Sequence, residues 1–201
     1  MTFALSRRVM MLGMAIALMM PAASAMAQKN DAAASKFIQK MGDIALTQLT
    51  DKELSAGERE KRVRDLLRQN FDVDAIGKFA LSKHWRTATD AQRKEYLKLF
   101  ENMIVGTYAQ RFGEYSGQQF KVGGTKPIND RDSVVSSQVI QKDGPPLNIE
   151  WRVRNANGQF KVLDVFIENV SMAITQRSDF DAVVQRSGID GLLKTLRDRS
   201  K

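Results

Sequence analysis

The chain has 201 residues, of which 43% are hydrophobic and 27% are charged, a composition typical of one globular domain and not of a disordered chain or a coiled coil. It contains no cysteine and a single histidine, His84, which excludes disulfides, thiolate-bound zinc, iron–sulfur clusters and a cysteine nucleophile. The formal net charge of +8 favours an anionic partner.

The first 27 residues have the pattern of a signal peptide for export. Arg7 and Arg8 precede an apolar run over residues 9–20, and small residues follow it. Because a bilayer span needs about 20 apolar residues, this run predicts a cleaved leader and not a membrane anchor. We expect cleavage after Ala27, with Ala25 as the alternative site. The paired arginines leave both ordinary secretory export and twin-arginine export open.

We expect the mature protein to comprise residues 28–201 as a single domain in the periplasm. The leader contains two basic residues and no acidic ones, so the mature chain keeps a net charge of +6. Such a charge steers a protein towards anionic lipid headgroups or an acidic protein surface. Nucleic acid is excluded as a partner because of the compartment.

The first half of the mature chain has the spacing of amphipathic helices. Apolar residues recur at intervals of three or four at Ile38, Met41, Ala45 and Leu49. Capping boxes at residues 55–58 and 89–92 predict two helix starts, and Asp72 predicts a third. The second box begins a long helix predicted over residues 90–112. The apolar faces of these helices comprise Val63, Leu66, Leu67, Ile76, Phe79, Ala80, Tyr96, Phe100, Met103, Ile104, Tyr108 and Phe112.

From residue 120 onwards the apolar period changes from 3.6 to 2, which predicts β-strands. Glycine, proline and asparagine clusters predict the turns between them. Such short connections predict an antiparallel meander with one face covered. The predicted strands cover residues 120–122, 133–141, 147–154 and 160–172, and the predicted turns lie at Gly123-Gly124, residues 144–146 and residues 155–158.

Helices return at the C-terminus of the chain. Ser178 is predicted to cap a helix that ends at Gly188, and Leu192, Leu193 and Leu196 mark a last, basic helix. Helices, then consecutive strands, then helices is the order of an α+β fold. The predicted architecture is a curved antiparallel sheet of about four strands packed against N-terminal and C-terminal helices.

Such a sheet under amphipathic helices encloses either a solid core or an apolar cavity. The spacing alone does not separate the two, because residues in a core and residues around a pocket share one periodicity. Trp151 is the strongest single candidate for contact with a ligand. The predicted lining of a cavity comprises Phe71, Ile76, Phe100, Ile104, Tyr108, Phe112, Val135, Val139, Ile149, Trp151, Val153, Val165 and Ile167.

The polar residues indicate structural roles. His84 is expected to make a structural polar contact, since no nucleophile is indicated beside it. Arg152 and Arg154, on the polar face of their strand, either bind partners or keep the sheet soluble. Three pairs of acidic residues lie at turns and helix starts, and they are Asp72/Asp74, Asp130/Asp132 and Asp179/Asp181. Capping and turn formation account for these pairs, so they give little support to a metal site. The basic tail, either solvated or in contact with a membrane, carries Lys194, Arg197, Arg199 and Lys201.

Several motifs together resemble the MlaC or toluene-tolerance family of periplasmic phospholipid-binding proteins, over residues 30–198. No single motif is specific, but their order and spacing are. They are residues 84–92, Thr107-Tyr108-Ala109, residues 134–137, residues 158–165, Val170-Ser171-Met172 and residues 177–180.

The resemblance implies a cone-shaped fold, similar to the cystatin and nuclear-transport-factor folds, around an apolar cavity for the acyl chains of one phospholipid. It implies a carrier with no enzymatic activity and no cofactor, whose cargo is the phospholipid. The implied partners are an outer-membrane lipoprotein complex and the substrate-binding ring of an inner-membrane ABC transporter, with transient membrane contact. Such a system maintains the lipid asymmetry of the outer membrane.

Three alternatives remain open. A related family is associated with hopanoid lipids, which gives a different cargo in the same cavity. An enzyme on this fold would use Asp164 or His84 as acid or base. An adaptor with a solid core would act through its basic surface, at Arg152, Arg154 or Arg197.

Overall fold

The computed structural model of the chain describes residues 22–115 and 117–199. Its elements, in chain order, are helices α1 (Ala22–Leu49), α2 (Ala56–Asn70), α3 (Val73–Leu81), α4 (His84–Thr87) and α5 (Asp90–Gly113), strands β1 (Gln119–Pro127), β2 (Asp132–Ile140), β3 (Leu147–Ala156), β4 (Gln159–Ile167) and β5 (Val170–Ser171), and helix α6 (Met172–Arg199). This order confirms the predicted α+β class. Most of the predicted leader lies outside the described residues, so cleavage after Ala27 stays a prediction. None of the helices in the described ranges has both the length and the hydropathy of a bilayer span.

The helix starts lie where the local sequence places them. At the start of α2, the Ser55 hydroxyl accepts from the Glu58 backbone N–H, and the Glu58 carboxylate accepts from the Ser55 N–H. Thr89 and Gln92 form the same reciprocal pair before α5. The Asp72 carboxylate caps α3 by accepting from the Ala75 N–H. Both predicted capping boxes and the third cap are therefore confirmed.

The sheet is a five-stranded antiparallel meander in the order β1-β2-β3-β4-β5, one strand more than predicted. The predicted turn at Gly123-Gly124 is wrong, because both glycines lie inside β1. There the register with β2 shifts between Val122 and Thr125, so the pair forms a bulge and not a chain reversal. Glycine tolerates the backbone conformations of a turn and of a bulge alike, and here pairing with β2 selects the bulge.

The fourth predicted strand, residues 160–172, is also corrected. Glu168 and Asn169 have φ angles of 47° and 64°, so the chain reverses tightly after β4. Val170 then pairs with Ile167 in the short strand β5. Asparagine tolerates the left-handed conformation that this turn requires, and the turn divides the predicted strand into a hairpin.

Helix α6 starts earlier than predicted and breaks where predicted. It begins at Met172, and the Ser178 hydroxyl donates to the Ile174 carbonyl within the helix instead of capping it. The start is held by Asp164, whose Oδ1 accepts from the Ala173 N–H at 3.1 Å. Gly188, with φ 70° and ψ 179°, interrupts the helix and redirects its last turns.

The buried residues form three separate cores. The first, which we call the helix core, joins α3, α5 and α6 without a sheet residue among its buried members. Within it the Tyr96 hydroxyl donates to the Gly77 carbonyl at 2.9 Å, and Phe180 packs edge-on against Tyr96 and Phe100. Its buried residues are Ala80, Leu81, Tyr96, Leu99, Phe100, Phe180, Val184, Leu192, Leu193 and Leu196.

The second core, the sheet core, lies between α1 and the sheet. Its buried residues are Ala34, Ile38, Met41, Val135, Val153 and Val162. Polar contacts hold the start of α1 to the sheet, because the Ser133 hydroxyl donates to Asp31 at 2.7 Å and the Asn155 amide donates to Asn30 at 2.7 Å. These two pairs join residues 102 and 125 positions apart in the chain.

The third core, the junction core, lies between α1, α2 and α5. Its buried residues are Ala45, Leu49, Val63, Leu67, Val105 and Ala109. All four predicted α1 positions are therefore buried, but they divide between two cores.

Gly42 brings α1 close to strand β1, and this contact gives a stability prediction. A Cβ atom at position 42 would overlap the ring of Phe120, which itself packs edge-on against Trp151. We expect Gly42→Ala to lower the free energy of unfolding by about 1–2 kcal/mol, because overpacking outweighs the gain in helix propensity. Urea unfolding followed by circular dichroism measures this.

The control is Gly106→Ala in α5, where an added Cβ has no neighbour within 4 Å. It should stabilise the fold by about 0.5–1 kcal/mol through helix propensity alone. Equal effects of the two substitutions would contradict the close packing of α1 on β1.

Candidate functional site

The apolar face of the sheet brings the predicted strand residues together. The strand register places Val135, Trp151 and Val165 side by side across β2, β3 and β4. Ile149 and Ile167 form a neighbouring pair two residues along the same strands. Because residues two apart point to the same side of a strand, the predicted residues of β2, β3 and β4 share one face.

Helix α1 covers one end of this face. Val135 and Val153 are fully buried beneath it in the sheet core, with exposed fractions of 0% and 1%. Val139, Ile149 and Ile167, towards the other end, are half-buried and lie outside all three cores described above. The apolar face is therefore closed at one end and partly open at the other.

Trp151 is held in one orientation beside the sheet core. Its indole N–H donates to the Ser137 hydroxyl at 2.8 Å, and that hydroxyl donates to the Ile149 carbonyl at 3.2 Å. Phe120 packs edge-on against the indole with ring centroids 6.3 Å apart. The ring is half-buried, so one part of it contacts the core and another part stays accessible.

The predicted residues of the helices divide among the cores. Phe100 is buried in the helix core, and Ile76 packs against it. Tyr108 and Phe112 pack against the junction core. Burial raises the pKa of the Tyr108 phenol, and the Arg111 guanidinium near its ring opposes this effect.

Four half-buried side chains connect the three cores, and we call them the seam. Leu66 and Phe71 pack against both the sheet core and the junction core. Val73 and Ile104 pack against both the junction core and the helix core. Phe71 and Ile104 are among the predicted lining residues, and Leu66 and Val73 are not.

A pocket of about 200 Å³ lies between α3 and the sheet, and we call it the arginine pocket. One wall is apolar, and the other carries two guanidinium groups and a carboxylate. The lining residues are Ala75, Ile76, Phe79, Arg152, Arg154, Leu163 and Asp164. Ile76 also packs against the helix core, so the pocket adjoins that core.

The guanidinium groups of the pocket are held by a buried carboxylate. Asp132, with an exposed fraction of 0%, accepts from Arg154 Nε at 2.7 Å, from Arg154 Nη2 at 2.9 Å and from Arg152 Nη2 at 2.9 Å. The hydrogen bond from Arg154 lowers the pKa of Asp132 to about 2, with help from Arg152 and against the effect of burial.

This cluster corrects the sequence interpretation, which gave Asp132 only a turn role and Arg152 and Arg154 only a surface role. Asp132 does close the β1–β2 turn, since its carbonyl accepts from the Ile128 N–H. No local sequence signal marks the ion pairs, because they depend on the β2–β3 register that places Arg154 opposite Asp132.

The remaining polar candidates have structural contacts. His84 Nε2 lies 2.6 Å from Asp181 Oδ1, which links α4 to α6 as expected of a structural histidine. Lys83 and His84 lower the pKa of Asp181. Asp164, the alternative acid or base, uses both carboxylate oxygens to accept from Ser171 and Ala173 at the start of α6 and from the backbone N–H of Val165 in β4.

The basic tail and the acidic residues give no metal site in the described part of the chain. Arg197 binds Glu95 of α5 at 2.6 Å, and Lys194 pairs with Asp198. Within residues 22–115 and 117–199, no three His, Asp or Glu side chains group closely enough to hold a metal ion.

Comparison with known proteins gives a family and a fold. The family model described as MlaC protein matches residues 39–198. The intermembrane phospholipid transport system binding protein MlaC of Haemophilus influenzae is 26% identical over 139 residues, which cover 67% of this chain and 65% of the relative. The toluene tolerance protein ttg2D of Pseudomonas putida is 25% identical over 120 residues, which cover 59% of this chain and 56% of the relative. The chain thus matches less than two thirds of the length of these curated relatives.

A solved structure matches the fold more completely. The phospholipid-binding protein from Ralstonia solanacearum, determined in complex with a phospholipid, superposes with a TM-score of 0.70 at 25% sequence identity. The match covers 83% of this chain and 96% of the other. The six-helix, five-strand arrangement is therefore the fold of a protein that holds a lipid.

Proposed function

The chain belongs to the MlaC family, whose model matches well over half of it, and on this premise we propose that it carries a phospholipid through the periplasm. The observation that carries the proposal is the likeness to the phospholipid complex from Ralstonia solanacearum over 96% of that protein. Names of relatives that refer to intermembrane phospholipid transport support the same conclusion.

A carrier is what the physical chemistry of the cargo requires. Two acyl chains hold on the order of 30 methylene groups, each worth about 0.8 kcal/mol when removed from water, so about 20 kcal/mol opposes passage of a free phospholipid. A protein that surrounds the chains with apolar side chains removes most of this barrier without any covalent step. This supports a transport protein and gives no reason for acid–base catalysis by Asp164 or His84.

We propose that the acyl chains enter along the seam and the open end of the apolar sheet face. The seam residues are apolar, half-buried and shared between cores that are each packed without them. Phe71 and Val73 flank the α2–α3 connection, so a small displacement of this segment would separate the junction core from the sheet core at Phe71 and from the helix core at Val73. The space opened there would be lined by the predicted residues Phe71 and Ile104.

The proposed partners are a donor and an acceptor complex in the two membranes that bound the periplasm. The predicted mature charge of +6 favours transient contact with acidic protein surfaces or anionic lipid. An outer-membrane lipoprotein complex and the substrate-binding ring of an ABC transporter are the partners that the family resemblance implies. Exchange of lipid with them would help to maintain outer-membrane asymmetry.

Native mass spectrometry of the protein, expressed with its leader and purified from the periplasm without detergent, tests the proposal. We expect the mass of residues 28–201 plus one diacyl phospholipid, because a cargo held by about 20 kcal/mol of apolar transfer energy survives purification. Lipid extraction then separates phospholipid from hopanoid. A ligand-free mass under gentle conditions would contradict the carrier, and a different protein mass would relocate the cleavage site.

A further inference from the structure

The arginine pocket contains hydrogen-bond donors that its protein neighbours leave unused. Arg152 Nε is buried and has no hydrogen-bond partner among the described residues. The described hydrogen bonds of Arg152 and Arg154 use Arg152 Nη2 and Arg154 Nε and Nη2, and all three go to Asp132. A buried donor without an acceptor is rare in folded proteins and calls for a partner such as an ion or a ligand.

The two guanidinium groups are fixed in place but not enclosed. Asp132 is fully buried behind them, whereas the side chains of Arg152 and Arg154 each keep an exposed fraction of 41% and line the pocket. The carboxylate therefore orients the guanidinium groups and leaves part of each one accessible. Oriented guanidinium groups recognise oxyanions such as phosphate because their planar donors match the spacing of the oxygens.

The charged groups around the pocket balance one another, so directed hydrogen bonds, and not an excess of positive charge, would hold an anion there. The two guanidinium groups are balanced by Asp132 behind them and by Asp164 in the lining. The Asp164 oxygens already accept from two backbone N–H groups and the Ser171 hydroxyl. At the rim, Arg177 adds a third cation, placed 5.6 Å from the centre of the Phe79 ring. Asp72 lies close enough to Arg154 to interact with it, but its carboxylate caps α3.

The opposite wall determines what the anion is attached to. Ala75, Ile76, Phe79 and Leu163 are apolar, and Phe79 is 44% exposed at the mouth of the pocket. A volume of about 200 Å³ holds a headgroup-sized anion with its first carbon atoms but not two acyl chains. Beyond the pocket, Ile76 leads to the helix core and so towards the seam.

We propose that the arginine pocket binds a phosphate ester, with the phosphate oxygens on Arg152 and Arg154 and the esterified carbons along α3. This rests on the proposed function, since the phosphate is then that of the phospholipid cargo and its acyl chains pass Ile76 towards the seam. A free phosphate ester such as glycerol 3-phosphate offers the same group without the chains.

The test compares lipids with and without phosphate on delipidated protein. Short-chain phosphatidylglycerol and the matching short-chain diacylglycerol are titrated calorimetrically into wild type, Arg152→Gln and Arg186→Gln. Arg152→Gln leaves Asp132 paired with Arg154. Arg186→Gln is the charge-matched control on the exposed surface of α6, where Arg186 donates to the Ala182 carbonyl of its own helix. Glycerol 3-phosphate is titrated as a third ligand.

We expect wild type to prefer the phospholipid, and Arg152→Gln to weaken phospholipid binding about tenfold or more through loss of a charge-assisted hydrogen bond. Diacylglycerol binding should not change, and Arg186→Gln should behave as wild type. Binding of glycerol 3-phosphate that Arg152→Gln abolishes would support the phosphate site independently of the acyl chains.

Equal affinity of wild type and Arg152→Gln for the phospholipid would overturn the phosphate site while leaving the carrier intact. Binding of neither lipid by any variant would instead contradict the proposed function. If Arg152→Gln fails to fold by circular dichroism, Arg152→Lys keeps the charge but lacks the Nε donor, and it should still reduce phospholipid affinity. An Arg152→Lys variant with wild-type affinity would count against the site.

Discussion

Asp132→Asn should lower the free energy of unfolding by about 3 kcal/mol, the largest stability effect that we expect from a single isosteric change. The carboxylate is fully buried and accepts three hydrogen bonds from two guanidinium groups. Asparagine has one acceptor oxygen and no charge. The two guanidinium groups would therefore still repel each other, but they would lose the negative charge and some of the hydrogen bonds that hold them together. Removing one member of a buried ion pair typically costs about 3–5 kcal/mol, and partial solvation of the arginines reduces this.

Urea unfolding at pH 7 measures the loss, and Asp130→Asn is the matched control. Asp130 lies two residues away in the same turn and is exposed, so the same chemical change there should alter stability by less than about 0.5 kcal/mol. A similar loss of unfolding free energy in both variants would show that stability depends on acidic residues in the turn and not on the ion pair.

The pH dependence gives a second measurement of the same pair. The pKa of Asp132 is about 2 in the fold, against an ordinary value of 3.8. A carboxyl whose pKa is lowered by folding stabilises the protein above its unfolded pKa, and this stabilisation is lost as the pH falls through the folded pKa. We expect the stability difference between wild type and Asp132→Asn to shrink by about 2 kcal/mol between pH 5 and pH 2. A difference independent of pH would contradict the assignment.

Ile104→Trp should reduce the amount of co-purifying lipid at least tenfold while leaving a folded protein. Ile104 is half-buried at the seam and packs against both the junction core and the helix core. A larger indole there would occupy space that we assign to an acyl chain. Overpacking costs about 1–3 kcal/mol, so circular dichroism should still report a folded chain. The lipid is quantified by extraction and by native mass spectrometry.

The control is Ile128→Trp, the same substitution at a residue that is 51% exposed between β1 and β2. It should retain wild-type lipid content. A second seam variant, Val73→Phe, should behave as Ile104→Trp does, because it fills the same boundary from α3. Full lipid content in both seam variants would place the acyl chains elsewhere.

Local features of the fold could be predicted from the sequence because their causes are local. A capping box satisfies backbone N–H groups within four residues, so Ser55 and Thr89 marked their helices without tertiary information. Gly188 was recognisable for the same reason, since its left-handed conformation is a property of that residue. Alternation likewise assigned Val135, Trp151 and Val165 to one face of the sheet.

Features that depend on distant partners were missed. Gly123-Gly124 has the composition of a turn, and only pairing with β2 makes it a bulge. The turn at Glu168-Asn169 carries no glycine or proline, so the strand pattern continued through it. Periodicity identifies a buried face but not the element that covers it, which is why most of the predicted cavity residues are distributed over three cores while Val139, Ile149 and Ile167 lie outside them. The Asp132 cluster depends on strand register, which the sequence leaves open.

The contacts between α1 and the sheet have a consequence for the order of folding. Helix α1 is synthesised before the strands that cover its apolar face, which follow about a hundred residues later, as the Asp31–Ser133 pair illustrates. The meander itself closes through short loops at low entropic cost, whereas docking of α1 must wait for nearly the whole polypeptide. The apolar face of α1 therefore stays exposed to water until the strands of the sheet core have been made.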